Sequence, residues 1–147
     1  REHEMTDEEI EAQRQSWARS CVSKPGDRHA MPLLPTGRQE RKDMPIYSGA
    51  IAYFPRALGA VAKLSKVGND IHNPGQALHW AKGKSTDHLE CVARHLIENG
   101  TTDDQGVFHD VMLAWRALAN LEMFLEAQAL GITKSELIRR YQEEEKK

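Results

Sequence analysis

The sequence predicts an all-α fold, a helical bundle with a proline-rich extended N-terminal arm. Three observations carry this expectation. All six prolines fall between Pro25 and Pro74, which leaves the second half of the chain free of the residue that most reliably interrupts a helix. Apolar residues from Leu58 onward recur at three- and four-residue intervals instead of alternating. Two S/T-x-x-E motifs and an Asn-Gly pair mark helix starts and a stop. The 147 residues, 39% of them hydrophobic, suit one core and no second independent domain.

Thr6-Asp-Glu-Glu9 is a capping box, so a first helix is expected from about Asp7 to Ser20, with a thin apolar side of Ile10, Trp17 and Cys21. From Lys24 to Gly49 the chain is punctuated by Pro-Gly, Met-Pro and Leu-Pro-Thr-Gly, which predicts an extended, ordered or lid-like arm. Ile46-Tyr47 reads as a short strand without a sheet to join. A second helix should open at Pro55, turn Leu58, Val61 and Leu64 inward, and stop at Gly68 before Asn69. After the loop Asn69 to Gly75 and a segment with His79 and Trp80, a third helix is expected from Ser85 or Thr86 to Asn99-Gly100. Its stripe of Leu89, Val92, Ala93, Leu96 and Ile97 should face the core. A long helix from about Val107 to Ala129 is apolar around most of its circumference, as a central helix or an oligomer interface would be. Thr133-Lys-Ser-Glu136 opens a last, highly charged helix expected to be solvated or to face another copy. The chain thus divides into residues 1–49, an N-terminal helix and arm; 50–131, a helical core; and 132–147, a charged C-terminal helix.

The net charge of −2 and the lack of a long apolar run make neither a nucleic-acid polymer nor a membrane an expected partner. The opening Arg-Glu-His-Glu-Met has no apolar leader, so a cytoplasmic location is expected. The two cysteines, Cys21 and Cys91, lack the spacing of a zinc finger or a disulfide framework.

On the long helix, His109, Arg116 and Asn120 project within about 40° of one another at 100° per residue. Polar groups on an oily surface need partners, either neighbouring loops and helices or a nucleotide or metal cavity. His88 and His95, seven residues apart on the third helix, are separated by about 10 Å of rise, too far to grip one ion together. His95 should instead lie level with His109 across the short Gly100 to Gly106 connection, in one polar cavity. Charge is unevenly distributed: Arg56 to Lys84 holds five basic residues and one acid, Ser85 to Asp110 six acids and one Arg. Such neighbours suit a polyphosphate bound through Mg²⁺, or two mutually attracting solvated faces. Gly83-Lys84-Ser85 is not the end of a Walker A loop, because the required first glycine falls at Leu78 and no strand precedes it. Gly83 reads as a turn and Ser85 or Thr86 as an N-cap. His109-Asp110 resembles a phosphohydrolase metal pair, but no Asp follows downstream.

Taken together, Arg41-Lys-Asp-Met-Pro45, Tyr53-Phe-Pro-Arg-Ala-Leu58, His72-Asn-Pro-Gly75, Leu78-His-Trp80, Gly83-Lys-Ser-Thr-Asp-His88, Arg94-His-Leu96 and His109 through Trp115-Arg-Ala-Leu118 resemble the phage-borne dATP/dGTP diphosphohydrolase N-terminal domain family. The resemblance spans about Arg41 to Glu126. That family is similar in outline to the MazG-type all-helical pyrophosphohydrolases. The likeness implies an oligomeric bundle that cleaves a purine dNTP to dNMP and pyrophosphate with Mg²⁺, in the host cytoplasm if phage-encoded. It points to His79, Asp87, His88, Arg94, His95, Asp103 and His109. The chain departs in lacking a Glu-Glu-x-x-Glu helix and in carrying Met112 where familiar members have a second histidine.

On this reading Asp87, Glu90 and Asp103 or Asp104 hold Mg²⁺, with Asp87, His95 and His109 the catalytic set. His95 or His109 orients or deprotonates the attacking water. Lys84, Arg94 and Arg116 neutralise phosphate charge, and Arg41, Lys42, Asn73, His79, Trp80, His88 and Asn120 complete the substrate contacts. The rival reading is a phage nucleotide-binding protein that sequesters a signalling nucleotide without turnover. A third is a structural helical oligomer.

Overall fold

The computed structural model describes residues 6–9, 11–12 and 34–146. Over these residues the fold is all-α, with no β-strand. Its helices are α1 (Arg38–Lys42), a π-helical turn (Tyr47–Ile51), α2 (Pro55–His72), α3 (His88–Ile97), α4 (His109–Ala129) and α5 (Lys134–Glu144). The expected helix beyond Ala12 and the arm up to Leu33 lie outside the described residues. At the start of the chain the capping box is closed in both directions. Thr6 N–H donates to Glu9 Oε2 at 2.8 Å, and Glu9 N–H donates to Thr6 Oγ1 at 3.3 Å.

The arm between Leu34 and Gly49 is not extended. α1 and the π-helical turn occupy it, and Ile46-Tyr47 belongs to that turn's start, not to a strand. α2 opens at Pro55 as expected but runs through Gly68 to His72. The extra turn survives because buried Asn69 binds the following loop, its Nδ2 donating to the Gln76 carbonyl at 3.1 Å and its Oδ1 accepting from His79 N–H at 3.2 Å. Pro74 and the positive φ of Gly75 then end the helix.

α4 is the axis of the molecule, and α2, α3 and α5 each pack on it. Its 21 residues span about 30 Å. A Schellman motif closes its C-terminus: Ile132 N–H bonds the Ala127 carbonyl and Gly131 N–H the Gln128 carbonyl, both at 3.0 Å, with Gly131 at φ +66°. The tight reversal drops α5 back onto α4. Thr133 caps α5 by accepting from Glu136 N–H at 3.2 Å. The resulting core is Met123, Ala127 and Leu137, with Trp80, Ile132, Ile138 and Tyr141 against it. The last helix is therefore half core, not wholly solvated. Glu136, Arg139, Arg140 and Glu143 pair with one another along one side, and Leu137 lies buried on the other.

Gly83 shows why the loop ahead of α3 must contain glycine. A Cβ there would lie 2.9 Å from the Gln142 backbone nitrogen. The bare backbone instead bonds α5, Gly83 N–H to Glu145 Oε1 at 3.2 Å and Gln142 Nε2 to the Gly83 carbonyl at 3.3 Å. Among the described residues, no helix is long and apolar enough to cross a membrane.

Candidate functional site

α3 meets α4 through its polar side. His88 is 2% exposed and Cys91 is buried, whereas Leu89, Leu96 and Ile97 are 61%, 57% and 84% exposed. Of the apolar stripe expected to face the core, Val92 is half-buried and Leu89, Ala93, Leu96 and Ile97 face outward. The inward face is decided by α4, which offers His109 and Arg116 here, and these groups demand polar partners. α3 also starts later than expected, at His88. Neither Ser85 nor Thr86 caps it: the N-cap position is Asp87, without a side-chain cap bond, and the Ser85 hydroxyl accepts from the Arg116 guanidinium.

Each of the three polar residues on the α4 stripe has a partner. Arg116 reaches Ser85 and lies 3.3 Å from His88 Nδ1. Asn120 Oδ1 accepts from Lys134 Nζ on α5 at 2.7 Å. His109 Nδ1 lies 3.0 Å from His95 Nδ1 and 3.3 Å from Glu98 Oε2. Arginine only donates, so His88 Nδ1 accepts and its proton sits on Nε2, which has no partner among the described residues. Burial, with Arg116 and Lys134 close by, pushes the His88 pKa below the ordinary imidazole value. Burial also lowers that of His95, followed by the proximity of His109 and Arg116.

The His95, Glu98, His109 group is set by a rigid helical hairpin. Gly100 and Gly106 take positive φ, +77° and +78°, at its two corners. Between them Asp103 Oδ1 accepts from the backbone N–H of Gln105 at 3.0 Å and Val107 at 2.8 Å. His109 N–H bonds the Thr101 carbonyl at 3.0 Å, and Asp110 accepts from Gly100 N–H at 2.7 Å. The loop thereby fixes the first residue of α4 opposite the last turn of α3. The His109 side chain is 12% exposed and that of Glu98 55%, so the cluster has one buried wall and one open flank.

The remaining predicted residues do not gather around this point. Asp87, at the opposite end of α3, pairs with Arg94 at 3.1 Å. That guanidinium, then Cys91, holds the Asp87 carboxyl below its usual range. Glu90 is exposed on the same end. Asp103 is committed to its loop, and Asp104 is exposed. Mg²⁺ takes clustered oxygen ligands, and these four carboxylates form no common cluster within one chain. Arg41 and Lys42 lie on α1, Asn73 caps α2, and His79 and Lys84 are exposed on the connecting loop. Trp80 packs edge-on against Trp115 at 5.7 Å, with Lys82 over its ring.

Sequence reasoning missed Glu98 as a member of the site. The signal was present: His95-x-x-Glu98 places two donors one turn apart immediately before the short connection to His109. Comparison with family models, curated proteins and solved structures finds no match to this chain.

Proposed function

We propose that this chain is a nucleotide hydrolase that converts a purine deoxynucleoside triphosphate to its monophosphate and pyrophosphate. The observation that carries this reading is the meeting of His95, Glu98 and His109 at a half-open helix junction. There the histidines hold the attacking water, and Arg116, one wall behind, contributes positive charge toward the phosphates. Lys84 and Arg94 lie outside this junction and serve as outer phosphate contacts. The motifs from Arg41 to Glu126 supply the substrate class by resemblance. Asp87, Glu90, Asp103 and Asp104 do not fit one Mg²⁺ ion.

That scattering favours a second reading, nucleotide binding without turnover, in which the same surface sequesters a signalling nucleotide. Exposed Phe54, Leu118, Leu121 and Phe124 beside the α2–α4 groove support an oligomer, which light scattering tests directly. Incubation with each dNTP and a divalent ion, followed by mass spectrometry of every species, separates the two functional readings. Hydrolysis predicts dAMP or dGMP with pyrophosphate. Recovery of intact nucleotide from the denatured complex would support the binding reading instead.

A further inference from the structure

We propose that His95, Glu98 and His109 form a binding site for a divalent transition-metal ion, with Zn²⁺ the best-matched occupant. One ligand atom from each of the three lies within 4.8 Å of the others, and they are the one such group among the described residues. The spacing is that of ligands around a small ion. Two nitrogens each about 2.0–2.1 Å from tetrahedral zinc stand about 3.3 Å apart. The two Nδ1 atoms here are 3.0 Å apart, and Glu98 Oε2 is 3.3 Å from His109 Nδ1. A few tenths of an ångström of ring motion brings the two nitrogens to that spacing, with Glu98 already within 4.8 Å of both.

The donor set selects the class of ion. Two imidazole nitrogens and one carboxylate suit zinc and its first-row neighbours, whereas Mg²⁺ prefers oxygen throughout. Three protein ligands leave a fourth position for water, and the open flank beside Glu98 supplies it. The site is also preorganised, because the Gly100 to Gly106 hairpin holds the register of α3 against α4. Arg116 and the α4 N-terminus oppose a cation nearby, while the Glu98 carboxylate and the α3 C-terminus favour one. The inference does not depend on turnover. A metal here accounts equally for a hydrolytic centre and for a structural clamp on the helix junction.

The full chain, stripped with a chelator, is titrated with Zn²⁺ against a chromophoric competitor and separately with Co²⁺ followed by its visible absorption. One equivalent per chain is expected, with the intense bands of four-coordinate Co²⁺. His95→Gln and His109→Gln should each weaken Zn²⁺ by about 100-fold or more, and Glu98→Gln by about tenfold. His72→Gln, on α2, should leave the affinity unchanged. Circular dichroism checks the fold, and if His109→Gln does not fold, His95→Gln and Glu98→Gln carry the test. No binding of Zn²⁺, or an affinity indifferent to His95→Gln and Glu98→Gln, would overturn the site. Metal bound without any dNTP product would remove the hydrolase reading and leave the site standing. Product formed with Mg²⁺ by protein that binds no Zn²⁺ would do the reverse.

Discussion

Along the C-terminal half of α4, Met123 and Ala127 meet Leu137 of α5 in an apolar core, whereas along its N-terminal half His109 and Arg116 meet His95 and His88 of α3. One helix therefore carries two interfaces of opposite chemistry. At the first, apolar area leaves water, and burial stabilises without demanding exact partners. At the second, each buried polar group must be matched, and mismatches are left over, such as the unpartnered Nε2 of His88. On the proposed function, stability is concentrated at one end and reactivity at the other, so substitutions at the two ends should separate the two properties.

The largest effect is expected from Leu137→Ala, which opens a cavity in the small core and should cost about 2–5 kcal/mol in denaturant unfolding. An equal loss from His95→Gln would erase the contrast between the ends. Next comes pH. The folded-state pKa of His88 is depressed by burial, so the unfolded chain takes up a proton first as pH falls. Stability should be fully present above the ordinary imidazole value, about 6.5, and decline as pH drops through it towards the folded value. His88 is faced by Arg116, Lys134 and Asp87, and thermal melts of His88→Asn should show a weaker slope over that interval. A slope unchanged by the substitution would mean that other groups set it. The smallest effect is Thr133→Ala, which removes the cap on α5 and should cost about 1 kcal/mol, less than the Leu137 change on the same helix.

The same contrast explains what the sequence disclosed. Three of the caps and stops were legible because they are local: Thr6 with Glu9, Thr133 with Glu136, and the turn after Ile97 each depend on residues a few positions apart, whereas the expected stop at Gly68 and cap at Ser85 or Thr86 gave way to His72 and Asp87. The meeting of His95 and His109 was legible too, since a short connection between antiparallel helices fixes their level. The inward face of α3 was not. Periodicity favours Leu89, Leu96 and Ile97, but the choice belongs to α4, fourteen or more residues away, where His109 and Arg116 call for polar partners. The carboxylates failed for a similar reason. Asp87 and Asp103 are both acidic and both near α3, yet Asp87 is taken by Arg94 and Asp103 closes a loop. The extra turn of α2 depended on Asn69 reaching Gln76 and His79, a tertiary bond that no propensity encodes.

The most direct measurement of this division of labour sets His109→Gln beside Leu137→Ala, with dATP and dGTP turnover and melting temperature recorded on both. The account predicts that His109→Gln loses dNMP and pyrophosphate formation while melting within a few degrees of the parent chain, and that Leu137→Ala melts far lower yet turns over nucleotide at temperatures where it remains folded. Undiminished product from folded His109→Gln would contradict it.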